Sequence, residues 1–334
     1  MIKTPKVYIL ILNWNNAEDT IDCLRAVFKT DYPDYQVVLL DNGSADGSEE
    51  KIRQWVSGAG IGFARYDRGR PARGREANGG VRPGAESAAK NKKPFLVFIQ
   101  NGENLGYAGG NNVGLEFALA RGDMGYAWVL NNDTLPETGA LGAMVACLEA
   151  MGTGMAGPKL LYFDRPGIFQ MAGGCRISPF LGNASLIAGG QKDDGKWDTA
   201  FELDCVCGAS LLAKKEVIEA VGLLEPKYFL YWEDADWGIR ARRAGFRLLY
   251  CPAAKVLHKE GATAGAMSAK SDYYWVRNGL YFTKRFYPWL LPLVPFSYLA
   301  KHTIIRSLKR QPLNLKACFS GLLDFFLGRS GEKK

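Results

Sequence analysis

The sequence predicts an α/β protein with a mostly parallel central sheet flanked by helices and followed by a helical C-terminal extension. Three observations carry that expectation. Residues 7–12, 37–40 and 95–99 are continuous apolar runs rich in Val, Ile and Leu, the second within a strand expected over 36–40, the pattern of strands buried on both faces. Segments with helical spacing lie between strands, so successive strands are expected to run parallel. Each apolar run also ends in a polar cluster, and parallel strands place those clusters on one sheet edge, where open α/β sheets bind ligands.

The bulk composition allows a large core. The chain has 334 residues, 47% of them hydrophobic and 12% aromatic, enough for one large domain with an appendage or for two domains. A formal charge of +8 admits nucleic acid, anionic membrane or phosphorylated substrates as partners. Seven Cys without paired metal-ligand spacing are expected to be reduced, mostly buried thiols. The first residues lead directly into a strand without an apolar signal region, which points to a cytoplasmic protein.

The first strand ends at Asn13-Trp-Asn-Asn16, and a helix is expected over 20–30. The second strand ends in Asp41-Asn-Gly-Ser-Ala-Asp-Gly-Ser48. Asp41 can accept the imide N–H of a pyrimidine while Trp14 offers a stacking face, with Asn13 and Asn42 beside them. A plain β-turn leading into the next helix explains the same residues. Residues 58–94 break the pattern: between 65 and 93 lie nine Lys or Arg, three acids and five Gly. That composition reads as a mobile basic surface insertion. Base stacking has little support there, because Tyr66 is the lone aromatic among the charges, so no nucleic acid is expected as a partner.

After the strand at 95–99 comes Asn104-Leu-Gly-Tyr-Ala-Gly-Gly-Asn-Asn-Val-Gly114, then a helix to about residue 120. Glycines such as Gly106 and Gly110, with Asn111, would let backbone N–H groups approach a phosphate, although the stretch lacks the Lys of a P-loop and does not fit GxGxxG. Residues 127–130 form another buried strand that delivers Asn131, Asn132 and Asp133 at its end. An Asn-x-Asp tip suits Mg²⁺ or Mn²⁺, which take oxygen ligands from one or two carboxylates and the rest from water and phosphate. A turn or helix cap would use the same residues.

A helix is expected over 141–151 and a more irregular β layer over 157–201, covering the open side of the cleft. Residues 203–213 read as a strand pair or a strand and bend, and 214–221 as a short helix. Tyr228-Phe-Leu-Tyr-Trp-Glu-Asp-Ala-Asp-Trp follows, placing Glu233 and Asp234 at a helix N-terminus, where carboxylates are favoured. Asp236 and Arg240 are four apart and can pair. Tyr231, Trp232 and Trp237 offer flat faces for sugar rings; a capped helix with an ion pair is the plainer reading. A strand over 247–252 precedes His258, one of only two His residues, so no zinc cluster exists.

In this order the segments resemble glycosyltransferase family 2, particularly its rhamnosyltransferase-like and galactofuranosyltransferase-like branches. The matching stretches are Ile11-Leu-Asn-Trp-Asn, Asp41-Asn-Gly-Ser, Asn104-Leu-Gly-Tyr-Ala-Gly-Gly-Asn-Asn, Leu130-Asn-Asn-Asp, Gly157-Pro-Lys, Trp232-Glu-Asp-Ala-Asp-Trp and His258. The resemblance implies a GT-A fold over 1–268 and inversion at the anomeric centre. It implies that Asp41 binds the nucleobase, Asp133 is the second acid of a DXD metal motif, Asp234 is the general base with Glu233 second to it, and His258 completes the metal site. Asn131 stands where that motif has its first acid, which points to a more weakly held cation, or to a sugar-binding protein without catalysis. The implied partners are a UDP- or dTDP-linked sugar donor and a glycan or lipid-linked acceptor.

From residue 269 on, aromatic and apolar residues mix with Lys and Arg, and the apolar run 289–299 is short and broken by Pro292 and Pro295. Such a tail suits helices lying on an anionic membrane surface, at the inner face of the cytoplasmic membrane. Packing on the catalytic domain or a homodimer contact would use the same features.

Overall fold

The structure is a computed structural model that describes residues 4–69, 81–88, 95–259 and 268–333. The chain opens with β1 (Lys6–Asn13), α1 (Ala17–Val27), β2 (Tyr35–Asp41), α2 (Ser48–Gly58), β3 (Gly62–Arg68), β4 (Val81–Ala88), β5 (Phe95–Gln100) and α3 (Gly106–Ala120). It continues with β6 (Met124–Asn131), β7 (Thr134–Pro136), α4 (Ala140–Met151), β8 (Met155–Tyr162), β9 (Phe169–Ala172), β10 (Gly174–Ser178) and β11 (Asn183–Leu186). Then come β12 (Phe201–Glu202), β13 (Cys205–Val206), β14 (Ser210–Lys214), α5 (Lys215–Val221), α6 (Glu233–Arg243), β15 (Leu248–His258), α7 (Ala269–Phe286), α8 (Val294–Leu308) and α9 (Pro312–Phe326).

One large sheet has the order β12-β15-β8-β14-β6-β1-β2-β5-β3-β4. Its centre, β6-β1-β2-β5-β3, is parallel, while β14 runs antiparallel between β6 and β8. Alternation along β1 and β2 divides the core. Ile9, Ile11, Val37 and Leu39 face α1, α2 and α4, whereas Tyr8, Leu10, Val38 and Leu40 face α3 and α6. Each of these side chains is at most 2% exposed, and full burial of a Leu or Ile contributes about 1.5–3 kcal/mol, so a one-residue slip in β1 would be strongly disfavoured. The central strands therefore end in register, and their C-terminal tips share one edge.

Two expectations are corrected here. The stretch 58–94 is not simply an insertion: β3 pairs parallel with β5 and antiparallel with β4. Phe63 packs on Phe98 and Tyr66 on Phe117, while Arg65 pairs with Glu49 and Asp67. The charges there belong to a strand next to the sheet edge, paired on both sides by β5 and β4. Of the stretch read as mobile, 70–80 and 89–94 lie outside the described residues. The second correction concerns the thiols, since Cys175 and Cys205 form a disulfide. They stand opposite each other where β10 and β13 pair antiparallel, a proximity that a sequence separation of 30 hides. Cys23, Cys147, Cys251 and Cys318 are free thiols.

Candidate active site

The tips of β1, β2 and β6 open into a cleft of about 340 Å³, walled on the far side by the start of α6 and by α7. Behind it lies a buried polar network. Asn13 Nδ2 donates to Asp41 Oδ2 at 2.7 Å, and Asn13 Oδ1 accepts from Thr20 Oγ1 at 2.8 Å and from Asn132 Nδ2 at 3.4 Å. Asp41 also accepts from the Ser44 amide, the Ser44 hydroxyl and Gln100 Nε2. Its carboxylate is thus already filled by four donors, and a nucleobase would exchange with one of them. Asn42 pins the next loop, donating to Asn104 Oδ1 and the Gly106 carbonyl. Trp14 stands half-buried in the wall with the Lys270 ammonium 5.0 Å from its ring centre.

The glycine-rich run serves helix packing. A Cβ on Gly110 would lie 2.6 Å from Leu12 Cδ1, and one on Gly106, whose φ is +71°, would lie 2.4 Å from the Phe229 carbonyl oxygen. The Tyr107 amide, at the start of α3, already donates to that carbonyl. Asn111 is buried and donates to the Tyr107 carbonyl rather than lining the cleft. Gly110 lets α3 approach the sheet and Gly106 lets it approach the Phe229 turn, and Gly106 also lines the cleft.

Opposite β1, the antiparallel pairing of β7 with β15 sets Thr134 against His258 and so brings His258 to Asp133. His258 Nε2 lies 3.0 Å from Asp133 Oδ1, and His258 Nδ1 lies 2.7 Å from Gln170 Oε1. With the ring proton on Nδ1, donated to the Gln170 carbonyl oxygen, two acceptors converge on one point. That donor pair suits a shared cation, or a proton in its absence. Among the described residues no group of three His, Cys, Asp or Glu gathers as a metal site, so water and phosphate oxygens would complete the shell, as is usual for Mg²⁺ and Mn²⁺. Asn131 lines the cleft beside this pair.

The far wall is built from strained backbone. Phe229, Tyr231 and Trp232 have φ of +65°, +66° and +78°, a region that bulky side chains rarely adopt. Asn278 of α7, fully buried, holds them by donating from Nδ2 to the carbonyls of Tyr228, Leu230 and Tyr231. This turn throws Glu233 and Asp234 into the cleft at the start of α6. Asp234 accepts from the Gly208 and Ala235 amides, yet burial pushes its carboxyl above the ordinary range. Glu233 is pushed well above it, first by burial and then by the charge of Asp234, and its Oε2 has no hydrogen-bond partner among the described residues. Two adjacent carboxyls whose proton affinities are pushed up by different amounts are the arrangement from which an acid and a base can be drawn.

Trp232 and Trp237 do not reach the cleft, which corrects the expectation that they present faces to sugars. Trp237 is buried in the core under α6 with its Nε1 donating to the Gly222 carbonyl, and Trp232 packs among Trp275 and Phe282. The ring faces in the wall are those of Trp14, Tyr107, Phe229 and Tyr231. Asp236 does pair with Arg240, at 2.6 Å, and Arg285 joins them. Gln170, Gly208, Lys270 and Asn278 were not singled out from the sequence; each acts across a long chain separation, and none carries a local signature.

A family model described as glycosyltransferase like family 2 matches residues 5–278. The chain belongs to that family. Among sequence relatives of this family 2 chain is the N-acetylglucosaminyl-diphospho-decaprenol L-rhamnosyltransferase of Mycobacterium tuberculosis, 27% identical over 207 residues, covering 57% of this chain and 67% of the relative. A dTDP-rhamnosyl transferase of Shigella flexneri is 24% identical over 252 residues, covering 72% and 81%. Among solved structures, a mannosyltransferase of Pyrobaculum calidifontis in complex with GDP-Man and Mn²⁺ aligns with a TM-score of 0.56 at 14% identity, over 98% of this chain and 88% of that one. The fold is of the GT-A type, a mostly parallel sheet flanked by helices. Family and named relatives together support glycosyl transfer as the activity.

Proposed function

We propose that the chain is an inverting glycosyltransferase that moves a sugar, with rhamnose as the candidate, from a UDP- or dTDP-linked donor to a hydroxyl of a glycan or lipid-linked acceptor in cell-surface polysaccharide assembly. The observation that carries this reading is that Asp133, His258 and Asp234, far apart in sequence, line one cleft. Asp133 and His258, with Asn131, would hold Mg²⁺ or Mn²⁺. When bound, such a cation offsets the negative charge that develops on the departing diphosphate.

The chain's own groups do the rest. Trp14 offers a stacking face and the Asp41 network a hydrogen-bonding edge for the base. Tyr231 and Phe229 shape the sugar and acceptor pocket. Asp234, ionised, takes the proton of the acceptor hydroxyl as that oxygen forms a bond to the anomeric carbon, and the bond from that carbon to the diphosphate breaks on the opposite face. Glu233, protonated, donates a hydrogen bond to a substrate oxygen through its unpartnered Oε2.

Thermal-shift measurement with a panel of nucleotide sugars, with and without Mn²⁺, finds the donor, because a ligand bound only by the folded state raises its stability. With that donor, Asp234→Asn should keep the nucleotide-induced shift and lose roughly 10²–10⁴-fold in transfer. The wild-type rate should rise with pH along a limb lying above the ordinary aspartate range, as the raised carboxyl ionises. Undiminished turnover in the variant would remove Asp234 from the base role, and binding without transfer by wild-type protein across all donors would leave a nucleotide-sugar-binding protein.

A further inference from the structure

The C-terminal helices are apolar on both faces, one packed on the protein and one left open. The inner face of α9 is Ala317, Cys318, Gly321, Asp324 and Phe325, with Cys318 and Phe325 in an apolar cluster with Val276 and Leu280, Asp324 accepting from the Tyr273 hydroxyl of α7, and a Cβ on Gly321 falling 2.6 Å from the Tyr273 carbonyl oxygen. Its outer stripe is Phe319, Leu323 and Phe326, at spacings of four and three, and Phe326 is 65% exposed. On α8 the outward residues Phe296, Ile304 and Leu308 recur at intervals of four or eight, and they are 72%, 59% and 80% exposed. Ten of the fourteen large apolar side chains exposed among the described residues fall between 289 and 327. Together they leave on the order of 1,000 Å² of apolar surface open, more than the few hundred that monomers usually show.

Charge names the partner. From residue 269 onward the chain has twelve Lys or Arg against three acids, a net of +9, while the whole chain carries +8, so the first 268 residues sum to −1. Lys309 and Arg310 stand exposed in the turn that joins α8 to α9, and Lys316 interrupts the apolar stripe of α9. Lys316 and Lys333 line a groove of about 630 Å³ together with Leu313 and Lys270, and Lys270 also lines the mouth of the catalytic cleft. The helices lie beyond the family match, which ends at residue 278, and no described helix is long and apolar enough to cross a membrane.

We infer that α8 and α9 form a docking surface for an anionic phospholipid bilayer, lying in its interface with the apolar stripes among the acyl chains and the basic residues at the phosphates. The groove from Lys316 to Lys270 then opens the cleft toward the membrane side. The surface stands on its own chemistry and does not depend on which sugar the cleft transfers.

Co-sedimentation of the full chain with vesicles tests it. Binding is expected to phosphatidylcholine vesicles containing phosphatidylglycerol, weaker to phosphatidylcholine alone, and falling as salt rises. Leu323→Ser with Phe326→Ser should weaken binding at least tenfold by removing two apolar anchors. Lys309→Gln with Arg310→Gln should weaken it about 25-fold on the anionic vesicles, a factor of about five per basic residue. Both double variants should keep the wild-type thermal midpoint and nucleotide-induced shift, which read the cleft and not the tail. An absence of vesicle binding, or binding that survives both double variants, overturns the proposal. So does a dimer that forms with rising concentration and is dissociated by the Leu323/Phe326 variant, since that would make this face a contact between copies.

Discussion

Asn278→Asp tests how the far wall of the cleft is held. The change keeps shape and keeps an acceptor for Arg277 Nε, which donates to Asn278 Oδ1 at 3.0 Å, but it removes both N–H donors. Those two hydrogens serve three carbonyls, of Tyr228, Leu230 and Tyr231, at 2.7, 2.7 and 3.1 Å. Two net hydrogen bonds at about 1 kcal/mol each, plus the weakened pairing of the Leu230 and Tyr231 carbonyls, give roughly 2–5 kcal/mol, while the Tyr228 carbonyl keeps the Leu230 amide and Arg277 as donors. The three left-handed residues they hold carry strain of order 1–3 kcal/mol each, which the surroundings must offset. The turn should therefore relax, moving Glu233 and Asp234 by the end of the α6 they begin. Calorimetry should show a midpoint lowered by several degrees. Initial-rate kinetics should show kcat reduced at least tenfold with the nucleotide-induced shift preserved, because misplacement of a reacting group by an ångström costs about that or more. A variant with wild-type midpoint and wild-type kcat would refute the claim that this amide holds the turn.

Glu233→Gln should alter the pH dependence of stability. A carboxyl whose folded pKa is raised stabilises the fold fully below its unfolded pKa, near 4.3, and that contribution is lost as pH rises toward the raised value. Gln is neutral throughout, so the variant should gain midpoint relative to wild type as pH goes from mildly acidic to neutral; a constant difference across that range would contradict it. Asn131→Asp adds a carboxylate beside Asp133 and should lower the Mn²⁺ concentration needed for half-maximal transfer; an unchanged requirement would place Asn131 outside the metal shell. Gln170→Leu removes the acceptor that fixes the His258 ring, and the same titration should show about 10–100-fold more Mn²⁺ required.

The parts of the fold that were legible from sequence are those specified locally. The runs that became β1, β2, β5 and β6 are apolar without interruption because both faces are covered, and their polar ends announced a shared edge. Asp133, Asp234 and His258 could be named through the resemblance of their segments, taken in order, to family 2; His258 carries no local signature of its own. What stayed hidden depends on chain segments meeting in space. The strand Gly62–Arg68 was obscured because Arg65, Asp67 and Arg68 interrupt its few apolar residues, and Phe63 and Tyr66 pack on opposite faces of the sheet. Trp232 and Trp237 looked available to sugar because α6 is short and strongly charged, yet the charges pair around its rim and the indoles turn inward. Asn278 and Gln170 sit in apolar helical and strand contexts that give no hint of the backbone or ring they hold.

The pair formed by His258 and Asp133 joins positions 125 residues apart, one on the last strand of the sheet and the other just before its short antiparallel neighbour. A sheet without the β7–β15 pairing lacks the contact that sets these atoms together. Loading with Mn²⁺ should therefore report completion of the sheet, and the free energy of that loading should appear as cooperative native-state stability rather than as structure in an intermediate.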